Sequence, residues 1–128
     1  MKRILFVMIV LFVSGMVTVS AQQREASITV AEAVHDFGQV QESGGAVSHV
    51  FTVLNNGELP LVISRVVASC GCTIPEWTKE PIAPGKTGDI KVSYNPTGQA
   101  GPFTKTISVY SNGKAGNYVL TIKGEVKK

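Results

Sequence analysis

At 128 residues the chain has room for one domain, and two cysteines, two histidines and one tryptophan leave little material for a metal cluster. The formal charge of +3 is scattered singly. Without a basic block to neutralise phosphates, nucleic acid is excluded as a natural partner.

The chain opens with Lys2-Arg3 and an unbroken apolar run from Ile4 to Val13, then small residues up to Ser20-Ala21. A charged start, a short apolar stretch and a small-residue exit predict a secretory signal over residues 1–21, cut before Gln22. The run is about half of the roughly 20 apolar residues that a membrane anchor needs. No cysteine lies near the cut, so lipid attachment there is not available. Residues 22–128 then form a single domain with ten basic and nine acidic side chains and no membrane span. A periplasmic or secreted location follows.

Strand signals fill the remainder. Ile28 and Val30 alternate with Thr29, and His35-Asp36-Phe37-Gly38 reads as a second short strand. Val47 to Leu54 places Val47, His49, Phe51 and Val53 on one face. Asn55-Asn56-Gly57 is a turn signal. Leu61 to Ala68 is apolar on both faces, the pattern of a central strand. The cysteine turn and a proline-bounded loop from Pro75 to Pro81 come next. Ile90, Val92 and Tyr94 mark an amphipathic strand, Gly98 to Pro102 a loop, and Phe103 to Val109 another strand. The last strand runs from Tyr118 to Val126. About seven to nine strands with hairpin-like links and no helical stripe predict an all-β, immunoglobulin-like antiparallel sandwich. The expected core is Phe51, Val53, Ile63, Ile90, Val92, Ile107, Val109, Leu120 and Ile122.

A series of motifs follows in order along the chain: Asp36-Phe37-Gly38, Asn55-Asn56-Gly57, Pro60-Leu61-Val62-Ile63, Ser69-Cys70-Gly71-Cys72-Thr73-Ile74-Pro75, Ile82-Ala83-Pro84-Gly85-Lys86, Tyr94-Asn95-Pro96 and Gly101-Pro102-Phe103. With the terminal Ile122-Lys123-Gly124-Glu125-Val126, this chain resembles the exported bacterial family called domain of unknown function 1573, over roughly residues 28 to 126. It also looks like the immunoglobulin-like domains of major sperm protein, cilia-associated repeat proteins and pilus chaperones. The resemblance implies a fold and an envelope setting. It transfers no catalytic residues.

Cys70 and Cys72, one glycine apart, are the only cysteines. Exported thiols meet an oxidising compartment. They are candidates for a disulfide that clamps a corner, for a thiol-disulfide exchange pair, for a soft-metal site, or for free or intermolecular thiols. A clamp over so short a loop contributes only about 1.5 kcal/mol by chain entropy. Exchange chemistry usually draws on a helix N-terminus or a close cation, and the nearest basic residue downstream is Lys79. Closed zinc would require Cys70, Cys72, His35 and His49 to converge, with each histidine alone on its strand, so no metal or cofactor is assigned. His35 and Asp36 are neighbours on a strand and point to opposite faces. His49 is expected as a core-edge histidine bonded to backbone. No catalytic set is visible. Gly71, Thr73, Pro75 and Trp77 form the candidate binding loop, Trp77 either covering one end of the core or standing exposed. The expected function is a non-enzymatic binding or structural module whose partner is an unidentified protein or envelope component. A small redox or metal-binding protein built on Cys70 and Cys72 is the alternative.

Overall fold

Two four-stranded sheets arise where the alternating segments pair. In the computed structural model, residues 24–128 are described. The strands are β1 (Ile28–Val30), β2 (Val34–Gln41), β3 (Val47–Asn55), β4 (Ile63–Ala68), β5 (Thr73–Trp77), β6 (Thr87–Tyr94), β7 (Gly101–Ser111) and β8 (Asn117–Lys127). One sheet runs β1-β3-β6-β5 and the other β2-β8-β7-β4. The expected signal and the cut before Gln22 lie outside the described residues.

β1 and β2 are consecutive yet belong to different sheets, and so do β4 and β5. Each open side of the sandwich is therefore closed by a chain that changes sheets, through residues 31–33 on one side and 69–72 on the other. All nine expected core residues are buried in one cluster. At about 1.5–3 kcal/mol for each fully buried aliphatic side chain, this interior dominates the favourable side of folding. Tyr94 and Phe103 add a stacked pair from β6 and β7, with ring centroids 4.1 Å apart. Burial pushes the Tyr94 hydroxyl above the ordinary tyrosine range.

The structure departs from the sequence expectations at four places. β2 runs parallel to β8, not antiparallel. It arrives by a sheet change, so no hairpin turn fixes its direction. The pairing slips between Asp36 and Gln39, where Gly38 takes the left-handed φ of 69°. β4 is an edge strand, not a central one: its second apolar face, with Val67, looks into solvent. The loop expected from Pro75 begins as strand β5, which pairs with β6. Strand pairing also starts at Gly101-Pro102, opposite Val126 and Glu125, inside the expected loop.

The Asn55-Asn56-Gly57 turn forms at the end of β3, but the Asn55 side chain points inward and is fully buried. Its Oδ1 accepts from the Ser27 and Gly57 N–H groups, and its Nδ2 donates to the Leu59 and Ile82 carbonyls. Gly57 is required by space: a Cβ there would collide with the backbone of Glu25, Ala26 and Ser27.

Candidate functional site

Two ties to neighbouring strands bracket the cysteine corner. At the end of β4, Ser69 N–H donates to the Thr106 carbonyl (2.9 Å), and Ser69 Oγ accepts from Thr106 N–H (3.2 Å). At the start of β5, the Cys72 carbonyl accepts from Asn95 N–H (2.9 Å). Between them the Cys70 carbonyl accepts from Thr73 N–H at 3.2 Å and closes the turn. The crossing from sheet to sheet is thus made by Cys70-Gly71-Cys72.

The two sulfurs lie in bonding contact, with Cα atoms 5.2 Å apart, inside the range a disulfide requires. Each sulfur also faces a donor. Cys72 N–H points at Cys70 Sγ (3.1 Å), and Thr73 Oγ1 lies 3.8 Å from Cys72 Sγ. Both cysteines are half-buried, and Cys72 packs against the core cluster. Gly71 is exposed, outside the left-handed region, and a Cβ on it would meet open space. The bend therefore does not need glycine.

The other expected loop residues divide between surface and interior. Thr73 is buried, with its hydroxyl beside the Cys72 sulfur. Pro75 is half-buried on edge strand β5. Trp77 is half-buried against the core, with the Lys79 Nζ 3.1 Å from its ring centroid. Ile74, which the sequence reading passed over, is the most exposed large apolar side chain among the described residues, at 63%. Alternation places it on the same face as Glu76, the outward one, and would have flagged it.

Backbone accounting separates the sheet edges. Asn95 N–H bonds to Cys72, and Thr78 N–H bonds to Asp89. By strand alternation, Thr73, Pro75 and Trp77 turn their backbone groups to the open side of β5. Pro75 has no N–H, and the Thr73 N–H is spent on Cys70. A proline at such a position blunts an edge. β1 spans only Ile28–Val30, and β2 is broken by its bulge. On β4 the Ser69 N–H bond to Thr106 sets the opposite phase, so Val66 and Ala68 present N–H and C=O to the open side. Its outer face continues a row from Val119 (48% exposed) through Ser108 to Val67 (44%), in direct register across β8, β7 and β4. The Arg65 guanidinium lies 4.3 Å over the Tyr110 ring beside that row.

On the opposite side of the sandwich, His35 of β2 and His49 of β3 stack face to face, centroids 3.6 Å apart and planes 8° from parallel. Phe37 and Phe51 meet them edge-on. Each histidine is alone on its strand, as the sequence reading held, but the two meet across the sheets. His49 is fixed by ring stacking, where a backbone bond was expected. Imidazole lone pairs lie in the ring plane, and nearly parallel planes do not converge on one ion, so the stacked pair is no chelate. Among the described residues no three or more His, Cys, Asp or Glu side chains gather into a metal-binding group. Burial and the neighbouring His35 lower the His49 pKa, against an opposing pull from Glu32.

No curated protein matches the chain. Among solved structures, a protein of unknown function from Porphyromonas gingivalis W83 superposes with a TM-score of 0.71 at 16% identity, over 86% of this chain and 51% of that one. The chain thus spans about half the length of that structure. The ASH/PapD-like domain 7 of human CEP192 gives 0.66 at 7% identity, over 91% of this chain and 96% of that one. The YadV chaperone gives 0.59 at 11% identity, over 80% and 53%. At these identities the likeness establishes the immunoglobulin-like, PapD-like fold and no activity. A sequence-family match spans residues 28–126, and the chain belongs to that family, described as protein of unknown function (DUF1573).

Proposed function

We propose that this protein is an exported, non-enzymatic protein-binding module of the cell envelope that takes its partner as an extended strand along β4. The observation that carries the reading is the β4 edge. Val66 and Ala68 hold unspent backbone donors and acceptors there, while β1, β2 and β5 are shortened, bulged or interrupted by proline. Strand addition draws its affinity from main-chain hydrogen bonds and its selectivity from alternate side chains. The Val119–Ser108–Val67 row supplies an apolar surface beside the edge. The naming of YadV as a chaperone accords with a protein partner for this fold. Export rests on residues 1–21, with residues 22–128 released as one domain in the periplasm or beyond.

A photo-crosslinking residue at Val67, in cells exporting the full chain, tests the edge. A discrete crosslinked partner should form, and it should disappear in Ala68→Pro, which removes an edge-facing N–H without removing a bond to β7. Crosslinking from Thr29 on β1 should stay at background. A partner unaffected by Ala68→Pro, or none from Val67, refutes the reading. Intact mass of the exported form should correspond to a chain starting at Gln22, and a retained Met1 refutes the export step.

A further inference from the structure

We infer that the Cys70-Gly71-Cys72 corner is a thiol-disulfide exchange centre acting on exported polypeptides that carry paired cysteines. In this assignment Cys70 carries the mixed disulfide and Cys72 resolves it. The inference goes beyond strand binding at β4 and stands on separate observations.

Exchange needs three things: an accessible sulfur, an in-line approach for a third sulfur, and stabilisation of the thiolate that leaves. The corner supplies partial exposure, a bare glycine turn and a donor for each sulfur. Both cysteines are partly exposed, and only Cys72 packs against the core cluster, which leaves Cys70 the freer of the two. Gly71 lies between them with no side chain, although neither its φ nor the surrounding space requires glycine. It therefore adds no side chain to the exposed turn that joins the two cysteines. Each sulfur has its own donor, Thr73 Oγ1 for Cys72 and the Cys72 N–H for Cys70. Hydrogen bonds of this kind favour the charged form of the group that receives them.

The steps balance as follows. A partner thiolate attacks Cys70 Sγ. The Cys70–Cys72 bond breaks, and Cys72 leaves as a thiolate facing the Thr73 hydroxyl. The partner's second thiolate then attacks its own sulfur in the mixed disulfide, forming the partner disulfide. Cys70 leaves as a thiolate that accepts the Cys72 N–H. The partner dithiol loses two electrons and two protons, and the cysteine pair gains both. The reverse sequence reduces a partner disulfide, with Cys70 attacking and Cys72 resolving.

The fold tolerates this change of state. The Ser69–Thr106 and Cys72–Asn95 hydrogen bonds anchor both flanks of the corner and involve neither sulfur. Reduction therefore leaves the sheet crossing in place.

The test uses the full exported protein in its oxidised form, with a synthetic two-cysteine peptide as probe and thiol titration as readout. The peptide should become oxidised while two protein thiols appear. Oxidised glutathione should convert the Cys72→Ser variant to a mixed disulfide at Cys70, releasing one glutathione thiolate, about tenfold faster than it converts Cys70→Ser at Cys72. Gly71→Val, which the open space accommodates, should keep the thermal unfolding midpoint and slow exchange about tenfold. Val67→Glu on the β4 face should leave exchange with the small peptide unchanged, so loss of strand binding and loss of exchange are read separately. A pair that stays oxidised in the presence of excess dithiol peptide and reduced glutathione overturns the proposal. So does unfolding on reduction, since a carrier must keep its site in both states. Equal trapping by the two serine variants overturns the assignment of roles, and undiminished exchange in Gly71→Val overturns the access argument.

Discussion

Replacing Asn55 by alanine should be among the most damaging single changes in the sandwich, although the position reads as an ordinary turn. The amide makes four hydrogen bonds, to Ser27 N–H, Gly57 N–H, Leu59 C=O and Ile82 C=O, at 3.3, 3.0, 2.7 and 2.9 Å. Truncation leaves two donors and the Leu59 carbonyl short of a partner in a region that is wholly or partly buried. The Ile82 carbonyl keeps a second bond, from Leu61 N–H. At roughly 1 kcal/mol net for each bond, and more where a group stays buried and unsatisfied, the loss is about 3–5 kcal/mol. That is a large share of the about 5–15 kcal/mol available to a typical domain. Asn112 is the internal control. It holds Val62 N–H and the Pro60 carbonyl in the same manner, at 2.8 and 3.0 Å, but at an exposed site. Water replaces its bonds, so Asn112→Ala should cost about 1 kcal/mol or less. Urea unfolding of the two variants, with an unchanged denaturant slope, measures the difference. Losses within about 1 kcal/mol of each other would refute the claim that burial sets the value of these bonds.

Other expected outcomes use the same unfolding assay. Ile107→Ala should cost about 2–5 kcal/mol through lost transfer energy and a residual cavity, because Ile107 is fully buried. Lys105→Ala, half-buried on the same strand face, should be nearly neutral, and equal losses would refute the inward register of β7. His49 has a pKa below its ordinary 6.5 when folded, so the unfolded chain takes up the proton first as pH falls. Its contribution is full above about pH 6.5, declines as pH drops, and levels off below the folded value. Melting curves should show this slope, and His49→Phe should flatten it. Replacing both cysteines by serine should leave the fold intact at a cost of about 1–2 kcal/mol, and unfolding would mean that the corner organises the core.

Period-2 alternation made the interior legible because each strand that buries one face repeats the same physical rule. Phe51 and Val53 on β3, Ile90 and Val92 on β6, and Leu120 and Ile122 on β8 all follow it. What alternation does not encode is the neighbour of each strand. Leu61 to Ala68 looks central because Val62 and Val67 add a second apolar face, yet β4 lies at an edge. Apolarity on both faces has two causes, burial on both sides or an unpartnered outer surface, and a sequence does not separate them. Pro75 misled in the other direction: it forbids a ladder bond only where its missing N–H would be used, and on β5 that direction is the open edge. The histidine stack was invisible for a related reason. His35 and His49 are remote in sequence and lie on different sheets, so only the sheet change after β1 brings them together. The cysteine pair was the easiest feature to find, and its donors were the part that needed coordinates.

The two sheet-crossing sides also show why a covalent link at one of them is not chiefly a matter of stability. Any sandwich with open sides must hold its sheets together where the core thins. On the β1–β2 side this is done without a covalent bond, by His35 stacking on His49 with Phe37 and Phe51 edge-on. On the β4–β5 side, backbone hydrogen bonds from Ser69 and to Cys72 already anchor both ends of the crossing, and Trp77 packs against the core nearby. The cysteine link closes a loop too short to remove much unfolded-state entropy, about 1.5 kcal/mol. A fully buried side chain such as Leu61 contributes at least as much, with no dependence on the redox state of the compartment. Stability alone would favour an apolar residue at either cysteine. What a sulfur pair offers that an apolar pair does not is a second chemical state, reached while the surrounding hydrogen bonds stay in place.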